Sequence, residues 1–247
     1  AIMTAGCFSR HAEKNQATGE QWHIPSDRLY TDYKEMVEKE SAREDGIDFV
    51  VIATPNKTHF PIAKAFLEHG IHVSCDKPVA MNIQEAKELQ KLAEEKGKIV
   101  AVTYGFSGFD MLKQMRAMVT SGKLGKIMRV HATYDQDMLL DPSIPIAWRH
   151  INKLAGSGAL GDLCSHLLSV SQMIMGEMSE VLGVQSIVIP ERPVKAGSTE
   201  MGKVENDDLI TFLVKYENGA IGDFSSSRVA TGRKNYFYHE IQGTEGS

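Results

Sequence analysis

Lys77, Asp162 and His166 are the residues whose types and settings could do chemistry. Lys77 stands in Cys75-Asp76-Lys77-Pro78, directly after the apolar run Ile71 to Cys75. An ammonium at the carboxyl end of a strand lies where open α/β sheets bind ligands, and the following proline biases Lys77 toward an extended backbone. Taken alone, a solvated surface lysine is the commoner reading. Asp162 and His166, four residues apart, project from one helix face beside the apolar stripe Leu163, Leu167, Val170 and Ile174. Three readings stay open for them: a surface hydrogen-bonded pair, two metal ligands, or a general base with an acid that orients it or binds substrate. Zinc needs three or four protein ligands and the spacing suggests no third, so no metal is expected.

The G-x-G-x-x-G run, Gly156-Ser157-Gly158-Ala159-Leu160-Gly161, imitates a dinucleotide fingerprint, and Glu180 even lies about where a ribose-binding acid would stand. The fingerprint requires a strand directly before it, so that the turn presents backbone N–H groups to a pyrophosphate. Arg149 to Leu154 is not a convincing strand, and this run is set aside.

The elements around these residues change rhythm once. As far as Tyr104, short apolar strands alternate with amphipathic helices. A strand at Ala1 to Phe8 precedes a helix near Tyr33 to Ala42, then come a strand at Ile47 to Ala53, covered on both faces, and a helix at Thr58 to Glu68. Next are a strand at Ile71 to Cys75, a helix capped at Asn82 that buries Ile83, Ala86 and Leu89, and a strand at Lys98 to Thr103. This is half of a doubly wound fold, entered at its second strand. A complete unit requires a strand and glycine-rich turn within a few tens of residues before Ala1. With no initiating Met, and a last turn at Gly243 to Ser247, both ends read as cut through a fold. Beyond Tyr104 come a helix near Asp110 to Ser121, a strand from Lys126 to about Tyr134, an irregular stretch over 135–155 and a helix from about Gly158 to Met175. Long strands follow, the clearest alternating Ile210, Phe212, Val214 and Tyr216 with Thr211 and Lys215, and Asn218-Gly219 turns it into Ala220 to Arg228.

The 247 residues, 42% hydrophobic, suffice for two modest cores. A formal net charge of −5 offers no basic field for nucleic acid or an anionic membrane. No apolar run approaches the ~20 residues that span a bilayer, and no leader pattern opens the sequence. Cys7, Cys75 and Cys164, odd in number and set in or beside apolar runs, argue against a disulfide framework and for a reducing cytoplasm.

Jointly these residues resemble the glucose-fructose oxidoreductase and inositol dehydrogenase (Gfo/Idh/MocA) family. The resemblance lies in Ala53-Thr54-Pro55-Asn56-Lys57-Thr58-His59, similar to its A-T-P-N-x-x-H, and in Cys75-Asp76-Lys77-Pro78, similar to its E-K-P. It continues in Gly122-Lys123-Leu124-Gly125-Lys126-Ile127, in Trp148-Arg149, and in Gly158 to His166, similar to its G-A-L-x-D-x-G-x-H. The motifs fall in the family's order over essentially the whole chain. The implied fold is α/β: a Rossmann-type parallel sheet without its first strand and glycine-rich loop over 1–104, then an α+β domain with a mainly antiparallel sheet over 105–247. The implied activity is hydride transfer between NADP or NAD and a hydroxyl carbon of a sugar, cyclic polyol or sugar derivative. By the resemblance Lys77 is the catalytic lysine, His166 takes the hydroxyl proton, and Asp162 binds or orients substrate. An ammonium near the reacting oxygen stabilises developing alkoxide and disfavours an imidazolium, which suits a base. Thr54, Pro55, Asn56, His59, Lys77 and Arg149 are expected to line the cofactor. Ser9-Arg10, where an acid would bind the ribose of NAD, tilts the choice toward NADP.

Gly105 and Ser107 stand where the commoner family pattern carries N-x-R, and Ser169 where many members carry Asp, so no particular substrate carries over. A redox-neutral glycosidase and a ligand sensor of the same fold are the competing functions, and the presence of all three catalytic-type residues argues against the sensor. The resemblance further implies a homodimer or homotetramer, closed over the sheet face that carries Thr211 and Leu213.

Overall fold

The computed structural model describes residues 2–247, so Ala1 of the expected first strand lies outside the described residues. The chain divides into two compact units, 1–103 and 104–247.

In the first unit, helices α1 (Ala12–Gln21) and α2 (Tyr33–Ser41) precede strand β1 (Phe49–Ile52). Then α3 (His59–Glu68), β2 (His72–Cys75), α4 (Ile83–Lys96) and β3 (Val100–Val102) follow in strict alternation. The three strands form one parallel sheet in the order β1-β2-β3, with Ile52 opposite Cys75 and Val73 opposite Val100. Helical crossovers return each strand to the same end, so the loops after β1 and β2 emerge together. Ala63, Phe66 and Leu67 of α3 and Leu89 of α4 pack with Val73 and Cys75 in one core. Helix α4 starts where Asn82 accepts from Glu85 N at 2.9 Å while the Glu85 carboxylate accepts from Met81 N, and it ends at Gly97, whose φ of 60° an L side chain rarely adopts.

Three expectations are corrected here. Residues 2–8 form no strand of the sheet. Gly6 makes one isolated bridge to Leu29, and Ile2 is fully exposed, because this segment pairs with residues 28–30 and not with β1. Residues 28–30 are in turn anchored to α2 by Glu40, which accepts from Arg28 and from the Tyr30 hydroxyl. Strand β1 is covered on one face only, leaving Phe49 and Val51 exposed. Ile83, at the first turn of α4, is exposed, whereas Ala93 one turn beyond Leu89 takes the buried position.

The second unit opens with α5 (Asp110–Thr120) and β4 (Ile127–Asp135). The stretch expected to be irregular contains a 3-10 turn at Trp148–His150 and the short α6 (Asn152–Ala155). The long helix expected over 158–175 is two pieces, a π turn at Leu160–Cys164 and α7 (Ser165–Met175). Strand β5 (Met178–Ser186), a small ribbon of β6 (Glu191–Pro193) and β7 (Met201–Lys203), then β8 (Leu209–Tyr216), β9 (Ile221–Ser227) and β10 (Tyr236–Gly243) complete it. The main sheet runs β10-β4-β9-β8-β5, antiparallel at every junction except the parallel β4-β9 pair. Alternation in β8 sends Ile210, Phe212, Val214 and Tyr216 into the core, against Leu163, Leu167, Val170 and Ile174. No helix among the described residues is long and apolar enough to cross a membrane.

Candidate functional site

The site residues fall in both units, Lys77 with the strand-end loops in the first, and Arg149, Asp162 and His166 in the second.

In the first unit the loops after β1 and β2 are tied to one another by His59. Its ring is buried, and the two ring nitrogens lie 2.7 Å from the carbonyl oxygens of Thr54 and Pro78. The ring N–H donates to one of these carbonyls, and the other nitrogen lies against the second loop. This occupies a side chain expected to face a cofactor, whereas Thr54 and Pro55 beside it are exposed and Asn56 and Lys77 half-buried. The Thr54 hydroxyl accepts from Thr58 at 2.6 Å. Lys77 is held by its backbone: its N–H donates to Asp76 Oδ1, which also accepts from the Thr103 hydroxyl, while Asp76 N donates to the Ile52 carbonyl. The donors at the carboxyl end of the sheet include the Lys77 ammonium, the Thr54 hydroxyl and the Asn56 amide. Such a set fits a nicotinamide and its ribose; among the described residues no glycine-rich turn follows a strand to hold a pyrophosphate. Ser9 and Arg10 lie just ahead of α1, Arg10 exposed and the Ser9 hydroxyl accepting from His11 N at 3.2 Å.

In the second unit His166 leads α7 from the π turn and sits among aromatic edges. The rings of Phe106, Tyr104 and Tyr134 stand 5.0, 5.7 and 6.0 Å from it, each steeply inclined to its plane. Phe106 is itself stacked on Phe237 at 4.2 Å, which fixes this wall. Burial raises the phenol pKa of both Tyr104 and Tyr134, so both walls stay uncharged at neutral pH. One turn along α7 from His166, the hydroxyls of Ser169 and Ser107 lie 3.3 Å apart. The two departures from the family pattern therefore meet, and a neutral hydroxyl pair stands where the commoner residues are charged.

Asp162 occupies the π turn, so its relation to His166 is not the simple one-face spacing of an α-helix. Its Oδ2 lies 3.9 Å from Arg149 Nε and 4.0 Å from Arg228 Nη1. Arg149 lies over the Trp148 ring at 4.4 Å. Arg228 was not anticipated. Neither was Asp207, whose carboxylate accepts from Gly158 N at 2.7 Å and Leu160 N at 2.8 Å. These contacts settle the G-x-G-x-x-G run. Its N–H groups serve an internal carboxylate, α6 rather than a strand precedes it, and a Cβ on Gly158 would come 1.8 Å from the Asp207 carbonyl oxygen. Glu180 pairs with Lys215 on the sheet surface.

Cys75 and Cys164 are buried, and burial pushes both thiols up to about 12, which disfavours the nucleophilic thiolate. Among the described residues no group of three or more His, Cys, Asp or Glu could hold a metal.

Residues 3–104 match the profile of an oxidoreductase family with an NAD-binding Rossmann fold, and residues 112–247 that of the GFO/IDH/MocA C-terminal domain. An uncharacterized oxidoreductase of Bacillus subtilis, YfiI, is 39% identical over 99% of this chain and 62% of its own length. Levoglucosan dehydrogenase of Pseudarthrobacter phenanthrenivorans is 36% identical over 81% of the chain and 54% of its own length. The crystal structure of an inositol dehydrogenase homolog from Azotobacter vinelandii complexed with NAD+ superposes with a TM-score of 0.90 at 31% identity, covering 98% of this chain and 61% of that one. The chain thus spans about six tenths of the proteins it matches.

Proposed function

The chain belongs to the GFO/IDH/MocA family of NAD-binding oxidoreductases, and on that premise we propose that it transfers a hydride between a nicotinamide dinucleotide and a hydroxyl carbon of a sugar, cyclic polyol or sugar derivative. The observation that carries this reading is the setting of His166, a half-buried imidazole walled by three aromatic rings with a carboxylate between two guanidinium groups on the preceding turn. Apolar ring edges beside a few oriented polar groups are the lining expected of a sugar-sized site.

In the oxidative direction Asp162 accepts a hydrogen bond from a substrate hydroxyl and fixes the ring. His166 takes the proton of the reacting hydroxyl, and the Lys77 ammonium stabilises negative charge on that oxygen as the C–O bond becomes a carbonyl. The bound nicotinamide supplies the hydride-accepting carbon, and the proton left on the protein passes to solvent. Thr54, Pro55 and Asn56 line the nicotinamide side, His59 shapes that wall from behind, and Arg149 is a further cofactor-contact candidate. Ser107 and Ser169 are neutral, which favours uncharged polyols over acidic sugars. The exposed Arg10 ahead of α1 supports a preference for NADP over NAD, its guanidinium being the partner for a 2'-phosphate. The outer face of the second sheet, with Leu213 and Ile221 more than half exposed, supports association of copies through that face.

The test is nicotinamide absorbance on mixing the full-length gene product with NAD or NADP and a panel of neutral and acidic sugars and polyols. Reduction of the dinucleotide by a neutral polyol is expected. No absorbance change with any pair overturns the dehydrogenase reading, and in that case release of sugar from glycosides without net change in the dinucleotide would establish the redox-neutral alternative. Arg10→Ala is expected to lower affinity for NADP about tenfold while sparing NAD, the scale of one lost charge-assisted contact.

A further inference from the structure

We infer that Arg228, directly after β9, is the positioning residue for Asp162. Its side chain is 1% exposed, and a buried guanidinium is tolerated only where countercharge and hydrogen bonds compensate it. Its Nη2 donates to the Asp207 carbonyl at 3.0 Å and its backbone N–H to the Asp208 carbonyl at 2.9 Å, which leaves little freedom in either direction. Nη1 lies 4.0 Å from Asp162 Oδ2, an ion pair without a direct hydrogen bond at that distance. Burial lowers the Arg228 pKa, and Asp162 is the foremost of the carboxylates that offset it, ahead of Asp208 and Asp207.

The backbone beneath Asp162 is fixed by the same group of residues. Asp207 grips Gly158 N and Leu160 N at the entrance of the π turn, so the segment that carries the acid and the cation that faces it share one anchor at the start of β8. Arg149 reaches the same oxygen but is 44% exposed, whereas Arg228 is out of solvent. Water screens the first interaction more than the second. Asp162, 24% exposed, lies between one exposed and one buried cation, and the buried one sets its position.

The inference rests on the reading of Asp162 as the substrate-binding acid, and the experiment separates the two. Arg228→Met, Arg228→Lys, Asp162→Asn and Arg228→Met with Asp162→Asn are made in the full-length gene product. Each is assayed for kcat and KM with the substrate found above, for NADH affinity by fluorescence titration, and for urea unfolding. Arg228→Met is expected to lower kcat/KM about tenfold or more, chiefly through KM, with NADH affinity unchanged. Arg228→Lys regains part of the loss, and Arg228→Met costs little further in the Asp162→Asn background. Equal losses in both backgrounds would overturn the inference, as would a fall in stability with kcat/KM intact. If Asp162→Asn alone leaves kcat/KM unchanged, the substrate-binding reading of Asp162 fails. The pair is then judged on unfolding, where an Arg228→Met effect that does not depend on Asp162 overturns it. Should Arg228→Met not fold, Arg228→Lys carries the same cycle.

Discussion

His59→Leu separates a residue that touches a cofactor from one that holds the walls of its site. In the structure the imidazole is buried and joins Thr54, after β1, to Pro78, directly after Lys77. Leucine fills a similar volume, so the change removes the ring N–H groups while leaving only a small cavity. A part-buried or exposed carbonyl then loses its donor, at a cost of about 0.5–1.5 kcal/mol. The carbonyls must move to find water, and Pro78 carries Lys77 with it. A shift of about 1 Å in a catalytic group lowers turnover roughly a hundredfold. Urea unfolding and steady-state kinetics on the full-length protein read both effects, with NADH titration as the discriminating measurement. The expected result is lower stability and lower kcat, with NADH affinity falling no more than a few-fold. Unchanged stability with a large loss of NADH affinity would refute the reasoning and make His59 a direct ligand contact.

Lys77→Ala should lower kcat roughly a hundredfold or more without altering the unfolding curve, since a half-buried ammonium contributes little to folding and much to a charged transition state; an unaffected rate removes Lys77 from the mechanism. Gly158→Ala should destabilise the second unit by about 1–3 kcal/mol, because the Asp207 backbone must retreat from the new Cβ, and a melting temperature unchanged from the parent would contradict that close approach. Burial lowers the pKa of His239 to about 4 from the ordinary 6.5. The unfolded chain therefore binds the extra proton first, so the contribution of His239 is complete above pH 6.5 and is lost as pH falls toward 4. It amounts to at most about 3 kcal/mol, and less for the part of the ring that reaches solvent. His239→Gln should flatten the fall of unfolding free energy over that window, and an unchanged slope would show that other groups cause it.

The strand and helix alternation from β1 to β3 was legible because each element's apolar pattern follows its own period, and because Asn82 and Gly97 mark helix ends by local chemistry that needs no tertiary partner; the polar α1 carries no such period. The alternation of β8 was legible for the same reason, and the family motifs nominated Lys77, Asp162 and His166 as candidates. Local pattern says nothing of which neighbour an element finds. Residues 2–8 are apolar enough for a strand, yet they meet only residues 28–30, and Ile83 is apolar but lies off the buried stripe of α4. Insertion of a π turn before α7 leaves no trace in an apolar period, yet it resets the direction of Asp162. The polar run Glu205-Asn206-Asp207-Asp208 reads as a solvated charge cluster, and only a hint, its place directly before an alternating strand, marks it as a buried end. What tertiary structure alone decided is which charges go inside. Asp207 is buried because the N–H groups of Gly158 and Leu160 meet it there, and Arg228 because Asp162 and the Asp207 carbonyl do. Burial of a charge depends on partners distant in sequence that no local window contains.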